Sequence, residues 1–124
     1  MKYEISLAED SKFIRIRVFE AINGEMEREF AGKAITEAKQ RNIRQFLVDV
    51  RGTTNVASSF QQYLFGYKDM EELGLPRNSK IAVLTDENDR THDFVETVFI
   101  NAGYNCHLFR EEKAAIEWLV SVNK

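Results

Sequence analysis

The residues best placed to do chemistry follow an apolar segment near the middle of the chain. Asp49 closes that segment, Gly52 turns the chain, and Thr53 and Thr54 come directly afterwards. Asp86 follows the next apolar segment, residues 80–85, in the same way. Because open α/β folds meet ligands and partners at the carboxyl ends of their strands, these side chains are predicted to line the rim of a site.

Ser58 and Ser59 stand where a helix is predicted to begin. A serine hydroxyl at that position caps the helix by accepting a backbone hydrogen bond, which is the structural interpretation. The functional interpretation is a phosphoacceptor or anion site, since negative charge is favourable at a helix N-terminus. The sequence leaves both interpretations open.

Asp49 lies in an apolar stretch, and a carboxylate buried there needs partners. We expect hydrogen bonds from nearby backbone or hydroxyl groups, or an ion pair with Arg51. A magnesium site needs several oxygen ligands, and Asp86 is the one obvious companion of Asp49, so no metal is predicted. The sequence also has no glycine-rich phosphate loop or nucleophile elbow, and no cofactor is predicted.

The histidines and the single cysteine do not form a catalytic pattern. His92 and His107 fall on separate elements without metal-ligand spacing. Cys106 is adjacent to His107 on a predicted strand, where neighbouring side chains point to opposite faces and cannot form a dyad. We therefore predict no catalytic residues and a protein that is not an enzyme.

Aromatic residues recur along the predicted helix of residues 58–73. Phe60, Tyr63 and Tyr67 share one stripe with Leu64 and Met70. Such a stripe is typical of core packing. The alternative is an apolar ligand pocket, because a buried tyrosine hydroxyl usually has a polar partner.

Composition indicates one soluble domain spanning residues 1–124. The apolar fraction is 44% and the charged fraction 30%, with 17 basic against 20 acidic residues. A net charge of −3 argues against a nucleic-acid binder, and no apolar run reaches the length of a membrane helix. One cysteine cannot form an internal disulfide, which indicates a reducing cytoplasm.

The elements that position these residues follow from periodicity. Two alternating segments before residue 20 predict a hairpin, and residues 46–50, 80–85 and 106–109 predict short buried strands. Helices are predicted around residues 26–38, 58–73 and 90–102, with a last one starting at the acidic residues 111 and 112; Phe94, Val95, Val98 and Phe99 are expected to face inward. The expected fold is α/β, a five-stranded mixed sheet with its first strand antiparallel and about four helices.

This order of elements resembles the SpoIIAA-like family. The resemblance is carried by Leu-Val-Asp-Val-Arg-Gly at 47–52, Ile-Ala-Val-Leu at 81–84 and Ala-Ala-Ile-Glu-Trp-Leu at 114–119. It implies the STAS fold of bacterial anti-sigma-factor antagonists, related in shape to the lipid-binding Sec14 domain. It also implies a regulatory or ligand-binding module.

The resemblance extends to one functional position. Anti-sigma-factor antagonists carry Asp-Ser-Ser-Gly-Leu at the start of this helix, and a partner kinase phosphorylates a serine there. Here the letters are Ala57-Ser58-Ser59-Phe60-Gln61, so Ser58 occupies the phosphorylated place while Ala57 and Phe60 replace the acid and the glycine.

Two functions are therefore carried forward. The first is a non-enzymatic regulatory module that binds a protein partner and is switched at Ser58. The second is a module for a small apolar or lipid-like ligand held against Tyr63 and Tyr67. We also expect a homodimer, built on the open sheet face or on the hairpin, where Phe13 and Phe19 share a face with Arg15 and Arg17.

Overall fold

The computed structural model describes residues 1–121, so the last three residues of the predicted domain lie outside the described part. Five strands form one sheet in the order β1-β2-β3-β4-β5. The first pair is antiparallel and the other three are parallel, which confirms the predicted mixed sheet. The strands are β1 (Tyr3–Leu7), β2 (Ile14–Val18), β3 (Gln45–Asp49), β4 (Lys80–Leu84) and β5 (Asn105–Phe109).

Four helical elements are present among the described residues, as predicted. The second is composite, because α2 runs directly into a π-helical segment, Phe65–Asp69, and then into α3. Gly74, two residues before Pro76, ends this element in the left-handed conformation, with φ of 81°. The helices are α1 (Gly24–Arg41), α2 (Ser59–Leu64), α3 (Met70–Leu73), α4 (Asp93–Asn101) and α5 (Glu112–Val120).

The helices lie on both faces of the sheet. Phe46 and Val48 of β3 pack in a large core with α1, the α2–α3 element and α4. Leu47, between them, packs in a smaller core with Ala115 and Leu119 of α5. Since alternate residues of a strand point to opposite faces, α5 covers one face and the other helices cover the second. The α5 face is covered only over β3, β4 and β5, which leaves the hairpin end open.

The π-helical segment allows the second and fourth helical elements to approach closely. Gly66 lies in this segment, and a Cβ atom added to it would stand 2.4 Å from a Cγ atom of Val98. Only a residue without a side chain fits there. A single π-helical turn within an α-helix is uncommon, and it often occurs near functional sites.

Two sequence predictions of burial are wrong. Phe94, expected inward, is 41% exposed, because α4 begins only at Asp93 and the preceding residues form turns closed by Asp86 and Asp89. Phe13, expected on an open face beside Phe19, is buried in the smaller core.

Candidate functional site

The loop between β3 and α2 is fixed by backbone hydrogen bonds. Ile22 donates to the Thr54 carbonyl and accepts from the Val56 amide, both at 2.8 Å. Thr53 is buried, and its hydroxyl donates to the carbonyl of Val50 at 2.7 Å. Thr54 is exposed. Of the two threonines predicted to line the rim, Thr53 is therefore buried and hydrogen-bonded within the protein, and Thr54 faces solvent.

Asp86 connects this loop with the loop after β4. Its carboxylate accepts a hydrogen bond from the backbone amide of Gly52 at 2.6 Å. Arg110, which follows β5, donates to the carbonyls of Asp86 and Asp89 at 3.0 Å. The carboxyl ends of β3, β4 and β5 thus meet in one hydrogen-bonded network, as the topology predicted, and Asp86 belongs to it.

Asp49 belongs to a different cluster, on the α5 face of the sheet. Its buried carboxylate accepts from Arg51 at 2.7 and 3.0 Å and pairs with Arg17 at 2.6 Å. Glu112 of α5 pairs with Arg51 and Arg15, which closes the network. Burial alone would raise the pKa of Asp49, but the hydrogen bonds from Arg51 and Arg17 outweigh it and hold the pKa below its ordinary value.

The two aspartates are therefore engaged by different partners. Asp49 is held by arginines, and Asp86 is held by a backbone amide. Within residues 1–121, no three His, Cys, Asp or Glu side chains are grouped in a way that could hold a metal ion. The predicted pair with Arg51 is present.

Ser58 is the N-cap of α2. Its hydroxyl accepts from the Gln61 amide at 3.1 Å, and the Gln61 side chain accepts from the Ser58 amide at 3.0 Å. This reciprocal pair is a capping box, which the structural interpretation of the serine predicted. Both Ser58 and Ser59 are exposed, so their hydroxyls are reachable from solvent. Their role as phosphoacceptors stays a prediction.

The aromatic stripe of α2 faces outward, which corrects both sequence interpretations of it. Phe60 is 68% exposed, Tyr63 47% and Tyr67 38%. The two tyrosine rings pack on each other with centroids 4.6 Å apart. Gln62, before the π-helical segment, and Phe65, at its start, are already buried, so α2 itself places Phe60 and Tyr63 outward. The π-helical segment then changes the phase of the helix, so that Met70, which follows it, points inward. These three aromatic side chains, Phe60, Tyr63 and Tyr67, are called the aromatic surface below.

Cys106 and His107 point to opposite faces of β5, as predicted, and His92 lies directly before α4. Cys106 is fully buried in the larger core, and burial raises the pKa of its thiol. His107 points to the other face and lies against Trp118, with ring centroids 5.1 Å apart. His92 is buried, with Nε2 3.3 Å from the carbonyl oxygen of Thr53, and burial lowers its pKa.

A solved structure with the same architecture decides the fold. No protein-family model matches the chain, and no curated protein is similar to it in sequence. Among solved structures, an uncharacterized protein from the DUF3478 family of Shewanella loihica, described as having a SpoIIAA-like fold, superposes with a TM-score of 0.55. The match covers 94% of this chain and 91% of that chain, at 16% identity. The chain has a SpoIIAA-like fold.

Sequence reasoning did not identify Glu27, one of the buried ionisable residues of this SpoIIAA-like fold. Glu27 is 3% exposed on the inner face of α1, beside Met26, Phe30 and Ala31. Burial, and then the nearby carboxylate of Asp69, raise its pKa to about 8. A signal was available, since Glu27 falls within the helical apolar stripe that includes Met26 and Phe30.

The arginine cluster of the SpoIIAA-like fold was also missed as a cluster. Arg15 and Arg17 alternate with apolar residues on β2, which marked them only as lying on one face. The parallel register sets Arg17 opposite Asp49, and this pairing depends on strand order rather than on local pattern. Within the described residues, no helix has the length and hydropathy needed to cross a membrane.

Proposed function

We propose that this chain is a non-enzymatic interaction module that binds a partner protein through the aromatic surface of α2. The observation that carries the proposal is the exposure of Phe60, Tyr63 and Tyr67, at 68%, 47% and 38%. They lie on the first element after the β3–α2 loop, at the end of the sheet where SpoIIAA-like topology brings three loops together.

The chemistry of the aromatic surface suits protein recognition. Aromatic side chains left in water are favourable to bury, and tyrosine is enriched among the residues that dominate binding energy at interfaces. The mutual packing of Tyr63 and Tyr67 reduces the rotamer freedom that binding would otherwise cost. The residues at 60, 63 and 67 follow helical spacing, so one partner surface can contact all three.

The polar groups of the neighbouring loops support a binding role rather than catalysis. The hydroxyl of Thr53, the carboxylate of Asp86 and the hydroxyl of Ser58 all take part in hydrogen bonds that fix the loops or cap the helix. Asp49 is enclosed by arginines. These loops hold the aromatic surface in place, and the single buried cysteine suits a reducing cytoplasm.

Ser58 is the proposed switch of this interaction. It is exposed, it lies two residues before Phe60, and SpoIIAA-like anti-sigma-factor antagonists are phosphorylated at the corresponding place. A phosphate there would add about −1.5 to −2 charges beside the aromatic surface. The helix N-terminus would tolerate that charge, so the modification would change the surface without unfolding α2.

The interaction is tested by affinity capture from the native cell with surface variants. Phe60→Glu/Tyr63→Glu places two charges in the aromatic surface, and Phe19→Glu places one charge at a 45% exposed phenylalanine beyond β2. We expect a specific partner to be lost with the double variant and retained with Phe19→Glu, while circular dichroism shows all proteins folded. Identical partner sets for both variants would exclude the aromatic surface as the binding site.

The switch is tested separately with four single variants. Ser58→Asp keeps a good N-cap and adds charge, whereas Ser58→Ala removes the cap without charge. Ser59→Asp and Ser59→Ala are the matched controls one residue later. Loss of the partner with Ser58→Asp alone supports the switch, and equal binding by all four variants contradicts it.

A further inference from the structure

A cavity in the larger core is lined by an acidic side chain, Glu27, one oxygen atom of which has no hydrogen-bond partner among the described residues. The cavity has a volume of about 70 Å³ and lies between the sheet and the helices that cover its larger core. Its walls are mostly apolar and come from the strands, α1, the π-helical segment and α4. Glu27, Asn55 and His92 are the polar side chains that line it.

The volume sets the size of what could enter. A single water needs about 10–15 Å³ of such space, whereas an engineered cavity that holds benzene measures about 150 Å³. At about 70 Å³ the cavity is too large for one water and about half the size of the benzene site. It suits a compact molecule of a few carbon atoms, and a lipid tail would not fit.

Glu27 has hydrogen-bonding capacity that the fold leaves unused. Its Oε1 atom is buried and accepts no hydrogen bond from any described residue. The other polar groups of the wall are engaged: His92 Nε2 lies 3.3 Å from the Thr53 carbonyl, and the Asn55 side-chain oxygen accepts from the Ala57 amide at 2.9 Å. Leaving a buried polar atom unpaired costs free energy, so a ligand group that hydrogen-bonds Oε1 removes that cost.

The charges around Glu27 decide which chemical class fits. Asp69, on the π-helical segment, lies near it and is paired with Arg28 at 2.8 Å. His92 also lines the cavity; burial lowers its pKa, and its Nε2 atom lies 3.5 Å from the carboxylate of Asp89. Burial and Asp69 raise the pKa of Glu27 to about 8, so at pH 7 it carries a proton and can both donate and accept.

We propose that this cavity is a binding site for a small uncharged molecule with a short apolar body and a hydroxyl group, which the protonated carboxyl of Glu27 anchors. The ligand hydroxyl donates to Oε1 and accepts the carboxyl proton's hydrogen bond, while its carbon atoms contact the apolar wall. An anion is disfavoured by Asp69, and any charged ligand must lose its hydration to enter. This site is separate from the aromatic surface, whose residues do not line the cavity.

The probe for this site is ethanol, which is small enough for the cavity, titrated into the ¹⁵N-labelled full chain and followed by amide chemical shifts at pH 7. We expect saturable shifts at residues lining the cavity. Glu27→Leu, which removes the carboxyl, should weaken binding about tenfold or more, the effect of losing a buried hydrogen bond. Glu25→Leu makes the same change at an exposed glutamate of the same helix and should leave the affinity unchanged.

Two further arms make the result decisive. Glu27→Gln keeps a hydrogen-bond donor and acceptor in a side chain of the same shape, so this variant should still bind the probe. Its binding would show that Glu27→Leu weakens affinity by removing the hydrogen bonds. Ethylammonium has nearly the same size and a positive charge, and should bind more weakly than the alcohol at pH 7. Absence of saturable shifts, unchanged binding by Glu27→Leu, or tighter binding of ethylammonium than of ethanol would each overturn the proposal.

Discussion

Glu27 gives the fold a pH dependence that can be calculated from its burial. Its pKa rises from 4.5 to about 8 on folding, so the folded state binds the proton more tightly than the unfolded chain does. The corresponding stability is fully present below pH 4.5 and is lost as the pH rises through 8. At about 1.4 kcal/mol per pH unit, the loss is about 3 kcal/mol by pH 7 and about 5 kcal/mol above pH 8.

The substitution Glu27→Gln removes this titration, because an amide of nearly the same shape has no proton to lose. We expect the free energy of unfolding of the variant, relative to the wild type, to increase by about 1.4 kcal/mol for each pH unit between 5 and 8. Urea unfolding of both proteins at pH 5, 6, 7 and 8 measures this free-energy difference. Subtracting the wild-type value at each pH cancels the contributions of titrating groups that the two proteins share. Glu25→Gln, at an exposed position of the same helix, should give a flat difference.

The outcome that would refute this reasoning is a flat difference for Glu27→Gln as well. A constant value within about 0.5 kcal/mol from pH 5 to 8 would mean that Glu27 is ionised and solvated in the folded state. The carboxyl could then not serve as a neutral anchor in the cavity.

The remaining predictions concern packing, charge and assembly. Asp49→Asn should destabilise the fold by about 3 kcal/mol in urea unfolding, because buried arginine pairing is lost; a change below 1 kcal/mol would contradict the cluster's structural role. Gly66→Ala should lower the free energy of unfolding by about 2 kcal/mol, because the added Cβ atom overpacks against α4. Gly32→Ala, with ordinary space for its Cβ atom, should be neutral or stabilising in thermal melts. Equal effects of the two substitutions would disprove the close approach of Gly66 to α4. If the open hairpin face forms a homodimer, light scattering should give twice 14.4 kDa, and Phe19→Glu should give a monomer; a monomeric wild type would exclude it.

The mixed sheet was predictable because its strands differ clearly in pattern. The alternation at Ile14 and Ile16 marked a strand with one wet face, and the dense apolar run at Ile81 to Leu84 marked a buried parallel strand. Local signals of this kind need no knowledge of distant contacts. They also indicated Ser58 as a helix cap.

The orientation of the α2 aromatic residues was not predictable in the same way. A regular helix from Ser58 would place Tyr63, Tyr67 and Met70 on one face, and the sequence analysis assumed that this face was the core. Gln62 and Phe65 face the core instead. The π-helical segment, which forms where Gly66 packs against α4, then changes the phase so that Met70 also points inward. That contact joins elements about 30 residues apart, so no local pattern reveals it.

The cavity around Glu27 was beyond sequence reasoning for a related reason. A glutamate in an apolar helical stripe can be noticed, but its burial depends on how closely α1, the π-helical segment and the sheet approach one another. The meeting of loops at the carboxyl ends of the strands followed from the topology, and Asp86 joins two of these loops. A binding site there stays a prediction. Asp49 does not contact these loops through Asp86, because alternate residues of a strand point to opposite faces and the Asp49 side chain points to the α5 face.

The central claim, that the aromatic surface binds a partner protein, is tested most directly by site-specific photo-cross-linking in the native cell. A photoreactive phenylalanine replaces Tyr63 in one variant and Phe19 in another, and mass spectrometry identifies the cross-linked proteins. The account predicts one protein that is captured from position 63, is missing from position 19, and is lost when Phe60→Glu is added. Capture of the same proteins from both positions, or none from position 63, would contradict it.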